Sequence, residues 1–269
     1  MSDGTNDAEF IAEWRRWHDD HEGRRASPHG FLAITGLHWL SDEPQRFDDA
    51  PGAWSSTGDG VDVRLGDTEE LEIDERRVTG HHHFGTVDES GTRARFGDAI
   101  VEVALRDGRF MIRPRDPHHP VRSRYRGTPA YPANSQWVAT GTFVPYEEPR
   151  SINVGASVEG LTHVYTAPGE IDFELAGQRL HLIAFNGETS DELFIVFTDL
   201  TSGTTSYSAC RFLSVDAPGS DARVTLDFNR ATNPPCAYTD FATCPLPPPG
   251  NDLPVRVEAG ERAPSNSSK

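Results

Sequence analysis

Phe10, Trp14, Trp17 and His21 recur at three- and four-residue steps with charged residues between them. This spacing predicts an amphipathic helix over 8–25, with Asp7 as its N-cap. From Gly30 onward the pattern changes to short apolar runs broken by turn residues. Gly58-Asp59-Gly60, Asp107-Gly108, Ala176-Gly177 and Ser202-Gly203 each separate two segments of strand character, as successive hairpins require. Ile171, Phe173 and Leu175 alternate with polar neighbours, and further strands are expected over 180–185, 193–198, 206–213 and 223–228. Leu193-Phe194-Ile195-Val196-Phe197 is apolar on both faces, which predicts a central strand. The first half is less regular, with strands expected over 61–65, 71–78, 92–96, 99–105, 109–114 and 136–144, and an ordered loop over 115–135.

These elements predict an all-β fold, an antiparallel sandwich or barrel-like meander carrying an N-terminal α-helix. The expected organisation is a helix over 1–25, one β domain over 26–262 and a disordered tail over 263–269. If the β domain divides into two lobes, the boundary is expected near 145–151. No apolar run approaches the ~18 residues of a membrane span. The acidic opening Met-Ser-Asp-Gly-Thr-Asn-Asp is unlike a secretory signal, so a cytoplasmic location is expected.

Charge narrows the partners further. The formal net charge is −17, which repels polyanions and argues against nucleic acid. Lys269 is the only lysine, so every other basic side chain is arginine. An acidic, lysine-poor surface is what adaptation to high salt produces, and a G+C-rich genome produces the same bias. Cys210, Cys236 and Cys244 are too few and too oddly numbered for a disulfide framework, and reduced thiols are expected.

The most unusual segment runs from Asn229 to Asn251 and follows the strand ending at Phe228. Its six prolines fix φ and remove backbone donors, so side chains and packing must hold it. The stretch Leu226-Asp227-Phe228-Asn229, then Asn233-Pro234-Pro235-Cys236-Ala237-Tyr238, then Ala242-Thr243-Cys244-Pro245-Leu246-Pro247-Pro248-Pro249 and Asn251 resembles a prokaryotic domain-of-unknown-function family. Gly36-Leu37-His38-Trp39-Leu40 and the segments at Gly108-Arg109 and Arg115-Asp116 extend the resemblance towards full length. The chain departs from that pattern at Thr232, where an aromatic residue is expected, and at Cys210-Arg211, which puts a role for Cys210 in doubt. The resemblance implies no established activity.

Chemistry must therefore be argued from the residues. Cys236 would be a nucleophile if a nearby His or Arg lowered its thiol pKa, and is otherwise a small buried residue beneath the loop. Cys236 and Cys244 could close a ring, which a cytosolic setting disfavours. They could also bind zinc with Cys210 or a histidine, but the spacing of Cys236 and Cys244 is not that of a zinc knuckle. No metal site is assigned and no cofactor is identified. His81-His82-His83 reads as a solvated hairpin tip. Arg109, Arg113 and Arg115 share one strand face, and Arg122, Arg124 and Arg126 follow them. Forked guanidinium donors suit carboxylates and phosphates, although surface ion pairs would give the same clustering.

The expected site is a pocket for a small anionic or polar metabolite under the Pro-rich loop, using Arg113, Arg124, Arg211, Asn229 and Asn233, with Trp39, Trp137 and Tyr238 as walls. One alternative is a hydrolase-type enzyme using Cys236, or an Asp227–Arg211 pair that orients water. Another is a loop that only plugs the end of a barrel. The signatures of P-loops, zinc proteases, nucleophile elbows and dinucleotide-binding turns are missing from the sequence.

Overall fold

A computed structural model of the chain describes residues 3–265, so the tail expected over 266–269 lies outside the described residues. Ala263, placed in that tail from sequence, donates its N–H to the Thr205 carbonyl at 3.0 Å. Helix α1 (Asp3–Arg25) starts earlier than its apolar stripe, which puts Asp7 inside the helix and not at its N-cap. Phe10, Trp14, Trp17 and His21 do lie on its half-buried face. No helix among the described residues is long and apolar enough to cross a membrane.

The chain forms two compact units: Arg24–Tyr125, and the helix up to Gly23 together with the chain from Arg126 onward. The first contains β1 (His38–Trp39), β2 (Gln45–Phe47), β3 (Ala50–Ser56), β4 (Val61–Arg64), β5 (Leu71–Ile73), β6 (Arg76–Val78), β7 (His81–Phe84), β8 (Thr92–Phe96), β9 (Ala99–Arg106), β10 (Arg109–Arg115) and the one-turn helix α2 (Pro120–Arg124). One antiparallel sheet runs β1-β10-β9-β8-β5-β6 and a second runs β2-β3-β4-β7. Trp54, Val61 and Val63 of the smaller sheet and Leu71, Val101 and Val103 of the larger share one buried core.

Two departures from the sequence pattern have local causes. Asp74 and Glu75 both adopt positive φ, at 50° and 63°, so the run over 71–78 is a tight hairpin and not a single strand. His81-His82-His83 is strand β7, paired with β4, and not a hairpin tip. Its outer histidines flank one carboxylate, with Asp62 at 2.7 Å from His83 and 3.2 Å from His81.

The second unit contains β11 (Val138–Gly155), β12 (Thr162–Leu175), β13 (Gln178–Asn186), β14 (Glu192–Asp199), β15 (Arg211–Asp216), β16 (Arg223–Asp227) and β17 (Asp252–Leu253). Its sheet runs β15-β14-β13-β12-β11-β16, and contact between β15 and β16 nearly closes it into a barrel. All pairings are antiparallel except that of β17 with β14. The expected fold class is therefore the observed one, and Leu193–Phe197 lies in β14, between β13 and β15. The barrel interior holds Ile171, Leu182, Ile195, Phe197, Leu226 and Phe228, each worth roughly 1.5–3 kcal/mol of burial. Residues 145–151 lie within β11, which shifts register between Pro145 and Arg150 but continues as one strand. The strand expected over 206–213 begins only at Arg211, because the Thr201 carbonyl accepts the N–H groups of Thr204, Thr205 and Ser206 in a local turn.

A buried ion pair crosses the end of this barrel. Arg211 is 0% exposed and donates to Asp199, to the Ala259 carbonyl and, at 3.0 Å, to the Val257 carbonyl. The first unit has a parallel arrangement. Glu102 of β9 is 5% exposed and accepts from Arg113 at 2.8 and 3.1 Å and from Arg115. Burial alone would raise the Glu102 pKa, but the charge and hydrogen bonds of Arg113, then of Arg115, outweigh it and hold the carboxyl at about 2.

Both pairs predict measurable effects. Asp199→Asn leaves a buried guanidinium without its counter-ion and should cost about 3–5 kcal/mol in denaturant unfolding, whereas Arg211→Met/Asp199→Leu should cost less than that single change. A single variant as stable as the native chain would refute the pair's structural role. For Glu102 the folded pKa lies below the ordinary 4.5, so its stabilisation is complete above about pH 4.5 and disappears as pH falls towards about 2. Glu102→Gln should be destabilised at pH 7 and should show a shallower loss of stability across that acid window, read from melting temperature against pH.

Candidate functional site

Chain geometry beneath the Pro-rich loop follows from its missing donors. The loop's free N–H groups are used as clamps: Thr232 exchanges hydrogen bonds with Phe212 at 2.8 and 2.9 Å, and Leu246 donates to Gly155 at 2.8 Å. Asn251 closes the loop with its side chain. Its amide accepts from the Ile183 N–H at 2.8 Å and donates to the Ile183 and Val196 carbonyls at 2.9 Å each, bridging β13 and β14 where their own ladder is short. Asn229 is used in the same way, exchanging hydrogen bonds with the Asn134 backbone at 2.9 and 3.0 Å and accepting from the Trp14 indole at its carbonyl, at 2.7 Å.

On one side of the loop lies a pocket of about 340 Å³ whose wall includes Ser157, Tyr207, Cys236, Thr239, Asp240 and Leu246. Cys236 sits in the single turn Pro235–Ala237, where the two preceding prolines fix the backbone direction. The Cys236 N–H donates to the Cys244 sulfur at 3.2 Å. The Tyr207 hydroxyl donates to the Cys236 carbonyl at 2.9 Å, and the Ser157 hydroxyl to the Ala242 carbonyl at 3.0 Å. The Cys244 donor first, and then these hydroxyls, outweigh burial and lower the Cys236 pKa to about 7. The proton that stabilises Cys236 is held correspondingly tightly, so the Cys244 thiol is pushed well up, and burial raises Cys210 and Tyr207 above their ordinary ranges. All three cysteines are unbridged and buried.

On another side of the loop Asn233 and Tyr238 meet Glu261, a carboxylate that is 1% exposed. The Asn233 N–H donates to Glu261 at 2.6 Å, and the Tyr238 hydroxyl lies 3.4 Å from Glu261 and 2.7 Å from the Thr128 hydroxyl. Gly260 positions this carboxylate. Its φ of +73° is open to glycine, and a Cβ there would lie 2.5 Å from the Ala231 carbonyl oxygen.

The other residues expected from sequence are placed differently. Asp227 does not pair with Arg211: its carboxylate caps Asn229 at 3.0 Å and accepts from Arg230 at 3.1 Å, whereas Arg211 is bound to Asp199. Arg113 is committed to Glu102, Arg124 is exposed at the end of α2, and Trp39 carries the Arg109 guanidinium 4.4 Å over its ring. Trp137 packs against the barrel core. A cleft of about 550 Å³ in the first unit is lined by groups paired among themselves, including Arg46 with Glu69, and Asp49 with Thr35 and His38 at 2.7 Å each. Ser157, Tyr207 and Glu261 were not legible as site residues, since each is a lone polar residue distant in sequence from the loop it meets.

No curated protein matches the chain. A solution NMR structure of an uncharacterised protein from Haloarcula marismortui is similar to it at 32% identity, over 52% of this chain and 78% of that one, with a TM-score of 0.45. The model of a family described as a protein of unknown function, DUF1684, matches residues 123–262, which span the barrel strands, the Pro-rich loop and Glu261. The chain belongs to the DUF1684 family of proteins of unknown function.

Proposed function

We propose that the pocket beneath the Pro-rich loop binds a small polar molecule and that Cys236 is the thiolate that reacts with it. The reading rests on one observation: Cys236 stands in the wall of the pocket beside Cys244, whose sulfur accepts the Cys236 N–H at 3.2 Å. The polarity of the pocket comes from hydroxyls, thiols and Asp240 and not from guanidinium groups, which favours a neutral or cationic molecule over an anion.

The second thiol favours redox chemistry over hydrolysis. A hydrolase would need a base to activate water against the acylated thiol, and the pocket wall offers no histidine for it. A dithiol needs only an electrophilic O–O or S–S bond in the substrate. Cys236 as thiolate attacks one atom of that bond, and the leaving atom departs with the electron pair and takes a proton. With a hydroperoxide the product is Cys236 sulfenic acid and an alcohol. The Cys244 thiol then attacks that sulfur, releasing water and leaving a disulfide that an external thiol must reduce.

Iodoacetamide labelling read by mass spectrometry tests the nucleophile. Cys236 should be alkylated with a pH midpoint near 7 and much faster than Cys244, because the rate follows the thiolate fraction, which is low below that pH and saturates above it. Tyr207→Phe and Ser157→Ala should each move the midpoint upward. Equal, slow labelling of Cys236 and Cys244 would remove Cys236 from any reaction. The substrate class is tested separately, by exposing the native chain to hydrogen peroxide or to a small polar disulfide. The expected product is the Cys236–Cys244 disulfide, and Cys244→Ser should stop at the sulfenic acid or mixed disulfide.

A further inference from the structure

Helix α1 brings chemistry to the Glu261 side of the loop that the thiol pocket does not use. His18 and Glu22 are one helical turn apart and share a face of α1. One nitrogen or carboxylate oxygen from each of His18, Glu22 and Glu261 lies within 4.8 Å of the other two. Metal–ligand bonds of about 2.0–2.2 Å set the donors of one ion roughly 3.4 Å apart in a tetrahedron and roughly 4.2 Å apart across an octahedron. Small side-chain rotations therefore close the set around a cation.

The His18 ring nitrogen Nε2 is buried and has no hydrogen-bond partner. A buried polar atom left in that state is unfavourable, and metal ligation would satisfy it. The ring is also held in place, stacked on Trp14 with centroids 4.8 Å apart. Both carboxylates are oriented from behind. The Thr128 N–H donates to Glu22 at 3.2 Å, and the Asn233 N–H and Tyr238 hydroxyl reach the Oε2 of Glu261 at 2.6 and 3.4 Å. Such outer hydrogen bonds are what metal-binding carboxylates use to fix their geometry.

We propose that His18, Glu22 and Glu261 bind a divalent transition-metal ion. An imidazole among the ligands selects a first-row transition ion over magnesium or calcium, which prefer oxygen throughout. Three protein ligands leave at least one coordination position open, as in sites where a metal activates water or substrate and unlike closed structural sites. The neighbouring His21, whose Nε2 is 3.6 Å from Glu261 Oε1, can extend the set to a second imidazole.

The experiment uses the untagged full chain, treated with chelator and then titrated calorimetrically with Zn²⁺, Mn²⁺ or Mg²⁺. One Zn²⁺ or Mn²⁺ should bind per chain and Mg²⁺ should not compete. His18→Ala and Glu22→Gln, both half-buried on α1, should each weaken binding at least tenfold while circular dichroism stays native. Two controls separate other sources of affinity: Cys236→Ser/Cys244→Ser removes the thiols, and His81→Ala/His83→Ala removes the exposed histidine run. Both should leave binding intact. With Co²⁺ as the probe, the spectrum should lack a thiolate charge-transfer band. Absence of stoichiometric binding by Zn²⁺, Mn²⁺ and Co²⁺, or binding that survives His18→Ala and Glu22→Gln, would overturn the site whatever the outcome at Cys236.

Discussion

The second unit depends on a charge that has no access to water. Arg211 is wholly enclosed, and its guanidinium is shared between Asp199 on the neighbouring strand and the carbonyls of Val257 and Ala259. A buried pair of this kind contributes little net stability compared with an apolar substitute, because desolvation of both ions offsets their attraction. What it supplies is direction. Apolar packing alone would let the chain end from Val255 to Ala259 slide along the barrel, whereas a planar fork accepts those carbonyls in one register. Glu261 follows two residues later, after a glycine whose left-handed conformation leaves no room for a Cβ, so the ion pair sets where that carboxylate can stand.

The sequence revealed the barrel because its periodicity is carried by contiguous residues. Ile171, Phe173 and Leu175 alternate within one strand, and Asp107-Gly108 and Ala176-Gly177 both adopt the positive φ of tight hairpin turns. Strands β2 and β3 were hidden because Pro51 and Gly52 break the local pattern and the pairing partner decides the outcome. The site was half legible for a related reason. Six prolines announce a stiff loop, and Cys236, Asn233 and Tyr238 were readable as its polar groups. Their partners Ser157, Tyr207, Thr128 and Glu261 come from four separate places in the chain, and no spacing rule connects them. The arginines misled because even spacing predicts a shared face but not what faces it. Glu102 stands opposite Arg113 in the register of β9 and β10 and takes up that donor face.

Rigidity explains why one loop can carry two different kinds of group without mixing them. Proline removes N–H donors with which a loop would otherwise satisfy itself, and remaining donors such as those of Thr232, Asn233, Cys244 and Leu246 have partners outside the loop. Cys236 and Tyr238 are two residues apart, yet one faces the Ser157–Tyr207 pocket and the other faces Thr128 and Glu261. The turn Pro235–Ala237 produces this divergence, since successive side chains of a tight turn leave in different directions. The loop therefore acts as a partition as well as a support. The thiols lie on one side with hydroxyls and Asp240, and Glu261 lies on the other with the imidazole and carboxylate of α1.

That separation has a chemical consequence. A thiolate is a better ligand for zinc or iron than any carboxylate, so a metal ion able to reach Cys236 and Cys244 would be drawn to them and would quench the nucleophile. The Cys244 proton opposes this as well. The Cys244 thiol is pushed well up beside Cys236, so the pair offers a single thiolate near neutral pH, and a single thiolate without a second ligand is a weak site for zinc. On the proposed chemistry, the neighbour that lowers the Cys236 pKa also keeps the pair from acting as a chelate, which leaves the histidine and carboxylates beside α1 as the proposed donors for a cation.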